Sequence, residues 1–113
     1  MATTSTLVRA ALDRPGLSVV TGFIGQSGSG RTTTLGRNGS DYTASLLAAA
    51  LAAGHVTVWT DVPGVFTADP GLVAEAYPVT RLTYREALEL AHFGTRMFHA
   101  RTMVPLRDAG IAL

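Results

Sequence analysis

A chain of 113 residues with 47% hydrophobic and 15% charged side chains is long enough for one domain with one core. Its formal net charge of +1 and scattered basic residues leave no polyelectrolyte footprint, so no nucleic-acid partner is expected. The absence of cysteine excludes disulfides and thiolate metal sites and fits a cytoplasmic location.

The opening run "MATTSTLVRAALDRPG" carries Arg9, Asp13 and Arg14 and no long apolar core, so it reads poorly as a secretion signal. Within it, Leu7, Ala10 and Ala11 fall on one helical face, and Pro15-Gly16 should stop that helix. "LSVVTGFIG" is β-branched and aromatic, which predicts a buried strand from Leu17 to Ile24. "QSGSGR" reads as a turn, and "TTTL" as a returning strand.

The loop "GRNGSD" leads into the strongest predicted helix, about Ser40 to Ala53, apolar nearly all round after Asp41. Gly54 suits its C-terminal end. The stretch "YTASLLAAALAAG" falls well short of the ~20 residues that span a bilayer, so no membrane partner is expected. "HVTVWTD" predicts a strand ending in Asp61, with Trp59 in the core, and "VPGVFTADPG" a long loop in which Asp69 forms a turn before Pro70.

Thr83-x-x-Glu86 is a capping box that opens a packed amphipathic helix over "YREALELAHF", which Gly94 should end. A last helix is predicted from about Ala100 to Asp108, with His99 as a structural residue at its start, and "GIAL" begins a new strand. His55, His92 and His99 have no spacing that puts two on one helical face, so no metal site is expected.

Strands alternating with helices point to an α/β fold with a largely parallel sheet. The credible strands are few, however, and the helices are too apolar for so narrow a sheet to cover. That mismatch predicts a piece of a larger domain.

Two glycine turns compete as anion sites. "GQSGSGRT" stands one residue from the phosphate-cradling P-loop, with Arg31 in the place of Lys, and the strand ending in Asp61 imitates the acidic second motif. A P-loop, however, must feed directly into a helix whose first N–H groups meet phosphate. Thr32-Thr33-Thr34, followed by Gly36 and Asn38-Gly39, makes a poor helix start. A guanidinium also does not replace a compact ammonium. A hairpin turn is the preferred reading, with a P-loop NTPase as an alternative.

"TLGRNGSDYTASLL" meets the same requirement: a strand end, a glycine loop and a strong helix. N–H groups near Gly39 and Ser40 would point into the mouth of the fold with a positive helix end behind them. Arg37 offers a fork for a carboxylate or phosphate, and Asp41 can accept from a neighbouring cation. The plainer alternative has Ser40 and Asp41 capping and charge-matching the helix, with Arg37 solvated.

"VVTGFIG", "TTTLGRNGSDYTASLLAAAL", "VWTDVPGVFTADP", "LTYREALELAHFGTRMFHARTMVPL" and "AGIAL" resemble, in order and spacing, the catalytic domain of aspartate kinases, members of the amino acid kinase superfamily. The resemblance runs from Ser18 to the end, within a partial domain over 1–113 whose residues 1–16 form a weakly matched helix. It implies part of a three-layer α/β/α domain on a mostly parallel sheet. It also implies transfer of the γ-phosphoryl of ATP, carried with Mg2+, to the side chain of L-aspartate. The products would be ADP and 4-phospho-L-aspartate, on the way to lysine, threonine and methionine.

By the same resemblance, Arg37 and Ser40 would bind aspartate, while Asp41 would orient cations around the transferring phosphoryl. Gly36 and Gly39 would approach the nucleotide, as would Thr60, Asp61 and Phe66. Arg96 stands where the family has a phosphate-binding Lys. Phosphoryl transfer needs alignment and positive charge around developing oxygen anions, which these residue types supply.

The departures bear on activity. The family's opening Lys with its Phe-Gly-Gly-Thr-Ser run, an upstream acidic residue and the regulatory domains have no counterpart here. Phe66 replaces Tyr, Gly71 replaces Arg, and all nine basic residues are arginines. The chain alone is expected to be inactive. It would be a non-catalytic remnant with weak nucleotide binding, or would depend on a complementing fragment or a homo-oligomer.

Overall fold

In the computed structural model, which describes residues 2–92 and 99–113, the elements in chain order are α1 (Ala2–Leu12), β1 (Ile24–Gln26), β2 (Thr32–Thr34), α2 (Gly39–Leu51), α3 (Tyr84–His92) and α4 (Ala100–Asp108). They divide between two units, one of Met1–Val58 with His99–Leu113 and the other of Trp59–Phe98.

In the first unit α2 packs against both α1 and α4. Among the described residues, Ala48 and Ala50 of α2, Met103 and Leu106 of α4, and Ile111 are the buried hydrophobic residues. Small side chains on α2 leave room for the large ones of α4. Burial of each large side chain contributes about 1.5–3 kcal/mol. The helix α1 ends at Leu12, ahead of Pro15 as its sequence requires.

The end of α2 corrects one expectation. Ala52, not Gly54, takes the left-handed position, at φ 53° and ψ 49°. The amide of Ala53 donates back to the carbonyl of Ala48 at 2.9 Å, so the last turn closes before Gly54 is reached. Helix α4 is capped by His99, whose ring Nδ1 accepts the amide of Arg101 at 3.2 Å. Pro105 lies inside it and withdraws the donor that would meet the carbonyl of Arg101.

The predicted long strands are also corrected. Of Leu17–Ile24 only Ile24 enters a strand, and Leu17 is 94% exposed. Of "HVTVWTD" only His55 pairs, and Trp59 is 92% exposed rather than in a core. A β-branched run becomes a strand only where a neighbour receives its N–H and C=O groups. Among the described residues no neighbour does so for 17–22.

The architecture is α/β, with four helices and one small sheet among the described residues. That sheet is the two-stranded antiparallel pair β1–β2, with Ile24 opposite Thr34 and Gln26 opposite Thr32. The one parallel pairing among the described residues joins His55 to Ala112, where the amide of Val56 donates to the carbonyl of Ala112 at 2.8 Å. The sequence "GIAL", read as the start of a strand, thus contributes a single bridge at Ala112 among the described residues.

In the second unit, Phe66 and Pro78 form an antiparallel bridge. The amides of Val79 and Thr67 donate to the carbonyls of Val65 and Tyr77 at 2.7 and 3.0 Å. The intervening loop turns at Asp69, whose carboxylate accepts the amide of Gly71 at 2.8 Å, an Asx-turn of the expected kind. The predicted capping box opens α3. The amide and hydroxyl of Thr83 both donate to the Glu86 carboxylate at 2.7 Å, and the Glu86 amide donates to the Thr83 hydroxyl at 3.3 Å. Gly94, the expected end of this helix, lies outside the described residues.

Candidate functional site

The serine-rich corner is a hairpin loop. The amides of Ser27 and Gly30 donate to the carbonyls of Arg31 and Ser27, both at 2.9 Å, and the amide of Arg31 donates to Ser27 Oγ at 3.1 Å. Gly30 has φ 82°, the left-handed residue that closes a three-residue hairpin loop. These amides are occupied inside the loop, and Thr32 continues into β2 rather than a helix. The P-loop reading fails on both counts.

The second glycine turn leads from β2 into α2, as its sequence requires. Leu35 is tied to the hairpin by its amide, which donates to the carbonyl of Phe23 at 2.8 Å. Gly36 at φ 76° and Asn38 at φ 55° then reverse the chain, and the amide of Gly39 donates to the carbonyl of Gly36 at 3.0 Å. Gly39 is buried, and a Cβ there would lie 2.7 Å from a ring carbon of Phe23. Only glycine brings the backbone this close.

Asn38 occupies the N-cap of α2, but its side chain caps no amide. It turns instead to Asp41 in the first helical turn, donating through Nδ2 to Oδ2 at 3.4 Å. Ser40 stands one residue inside the helix, so it is not the cap. The amides of Ser40 and Asp41 take part in none of the turn and cap hydrogen bonds. The start of α2 therefore presents open donors and the positive end of a helix. Arg37 is exposed beside it, with no hydrogen bond or ion pair among the described residues. Gly36, Arg37, Gly39, Ser40 and Asp41 are thus gathered in one bend of the first unit.

The remaining predicted residues belong to the second unit. Thr60 donates through Oγ1 to the Asp61 carboxylate at 3.1 Å, and both are exposed. Phe66 is half-buried in its bridge with Pro78. Arg96 lies outside the described residues. Among the described residues no cluster of His, Asp and Glu is placed to hold a metal ion, and no helix is long and apolar enough to cross a membrane.

Among the described residues of this unit, Glu86 and Tyr84 of α3 have shifted ionisation. Hydrogen bonds from the backbone and then the hydroxyl of Thr83 lower the pKa of Glu86, and burial raises that of Tyr84.

Sequence reasoning missed Arg101. Its guanidinium donates through NH1 to the carbonyl of Leu35 at 3.1 Å and lies over the ring of Tyr42, 4.3 Å from its centroid. No local pattern signals a contact across 66 positions. Asn38-Gly39, by contrast, is a recognised turn pair and marks the bend.

The model of the amino acid kinase family matches residues 2–113. The chain is 52% identical over 90 residues to lysine-sensitive aspartokinase 3 of Escherichia coli, a match covering 80% of this chain and 20% of that protein. The crystal structure of E. coli aspartokinase III in complex with aspartate and ADP (R-state) superposes with a TM-score of 0.85 at 46% identity, over 97% of this chain and 25% of that one. The Clostridium acetobutylicum aspartate kinase gives a TM-score of 0.88 at 31% identity, again over 97% and 25%. The chain spans about a quarter or less of each of these relatives. With the family model covering nearly its whole length, this chain belongs to the amino acid kinase family.

Proposed function

We propose that the chain forms part of the catalytic domain of an aspartate kinase, transferring the γ-phosphoryl of ATP to the side-chain carboxylate of L-aspartate. The observation that carries this reading is the bend from Leu35 to Asp41, where open amides at the start of α2 stand beside the exposed Arg37. Support also comes from a similar E. coli enzyme solved with aspartate and ADP.

In this reading Arg37 grips a carboxylate of aspartate through its fork, with Ser40 beside it. The amides of the first turn meet the developing negative charge. Asp41, fixed by Asn38, orients neighbouring cations. The acceptor carboxylate is ionised at neutral pH, so no general base is needed. Thr60, Asp61 and Phe66 serve the nucleotide, and Arg96 adds charge in place of the family's Lys, with different reach. A Mg2+ ion carried by the nucleotide would help neutralise its phosphates.

The complete domain in this reading is three-layered with a mostly parallel sheet, placed in the cytoplasm. The exposed Leu17 and Val19 support further strands covering this segment, supplied by the same polypeptide, a complementing one or a second copy. The chain alone, which contains no Lys, then shows negligible turnover.

The test is an aspartate, Mg-ATP and hydroxylamine assay, which traps the acyl phosphate. It is run on the chain alone and on the chain joined to the N-terminal part of the E. coli relative. Hydroxamate from the joined protein that falls in Arg37→Ala supports the reading. A folded joined protein without turnover, or one indifferent to Arg37, refutes it.

A further inference from the structure

We infer that Arg101 is a positioning residue, a strut from α4 that sets the path of the Leu35–Asp41 bend; this inference rests on reading that bend as the anion cradle. The backbone of Leu35 is held on both sides. Its amide donates to Phe23 at 2.8 Å, and its carbonyl accepts from Arg101 at 3.1 Å. The next residues turn through left-handed geometry at Gly36 and Asn38, so the orientation of Leu35 sets where the open amides of Ser40 and Asp41 point.

The strut is itself fixed at both ends. The backbone amide of Arg101 is held by the ring of His99 at 3.2 Å, and α4 is anchored by the buried Met103 and Leu106. The guanidinium face rests on Tyr42, 4.3 Å from the ring centroid, one residue beyond Asp41 in α2. A single planar cation thus ties the entry of the bend to the first turn of the helix that follows it. The planar group alone can present an N–H edge to Leu35 while its face stacks on Tyr42. Its two contacts, one N–H to Leu35 and one face on Tyr42, both fall on the bend and the helix it enters, so the role assigned to it is to position that bend.

The test compares the full chain with Arg101→Met and Arg101→Lys by amide hydrogen exchange and by L-aspartate affinity. Arg101→Met should speed exchange at Leu35, Gly39 and Tyr42 by roughly tenfold, while Ala53 and Ile111, held by other bonds, keep their rates. It should weaken L-aspartate binding about fivefold, with Arg101→Lys intermediate in both measurements. Unchanged exchange at the three bend amides overturns the inference. So does equal acceleration at Ala53 and Ile111, the mark of general loosening. Should Arg101→Met not fold, the same criteria apply to Arg101→Lys. If neither the chain nor the joined protein binds L-aspartate, the substrate reading fails, and the exchange data still decide the role of Arg101.

Discussion

Thr43 Oγ1 accepts the amide of Phe23 at 3.0 Å and donates to the carbonyl of Gly39 at 2.8 Å. One hydroxyl in the second turn of α2 thereby ties the hairpin to the start of the helix. Phe23 needs this hold, because its φ of 73° is a left-handed conformation that a bulky residue adopts only at a cost. Thr43→Val keeps the shape and removes both bonds. It should destabilise the chain by about 1 kcal/mol, read as a lower urea midpoint with an unchanged slope.

Gly39 has no room for a side chain. A Cβ would sit 2.7 Å from Phe23 Cδ2 and 3.1 Å from Leu35 Cβ. Gly39→Ala should cost about 1–3 kcal/mol and displace the bend, so calorimetry should show a lower Tm. A neutral effect would mean that Phe23 does not pack over this backbone.

Ala52 offers the opposite change. Its left-handed geometry, φ 53° and ψ 49°, costs alanine what glycine escapes. Ala52→Gly should stabilise the chain by about 1 kcal/mol, seen as a higher urea midpoint. Gly54→Ala, next to it, should not reproduce this gain, since Gly54 is not a positive-φ position.

The capping box makes a pH prediction. Bonds from Thr83 lower the Glu86 pKa below its ordinary 4.5, so the folded state favours the carboxylate. The contribution to stability is complete above the unfolded value and is lost as pH falls through the folded one. An NMR titration of the Glu86 side-chain carbon should place its midpoint below 4.5, and Thr83→Val should raise it. Because the backbone amide of Thr83, the larger cause, survives in that variant, the rise should be partial, and a parent midpoint at or above 4.5 would remove the cap as the cause.

What the sequence reveals divides by range. Helix α1, the Thr83–Glu86 box, the span of α4 and the hairpin around Gly28 all depend on residues within a few positions, and each is found as read. The strands read over Leu17–Ile24 and His55–Asp61 are not, because a strand is decided by its neighbours. The Leu35–Asp41 bend is legible from its glycines and Asn38. Its strut is not, since Arg101 approaches from another helix. The shift from Gly54 to Ala52 has a packing reason: the last turn is closed by the Ala53–Ala48 bond, whatever glycine follows.

The most direct test of the central claim is amide shift mapping of the 15N-labelled chain during titration with L-aspartate. The largest shifts should fall on Gly39, Ser40 and Asp41, and Arg37→Ala should abolish them. Shifts centred on Gly28 to Arg31 instead, or a response at Ser40 that survives the loss of Arg37, would contradict the placement of the anion cradle at the start of α2.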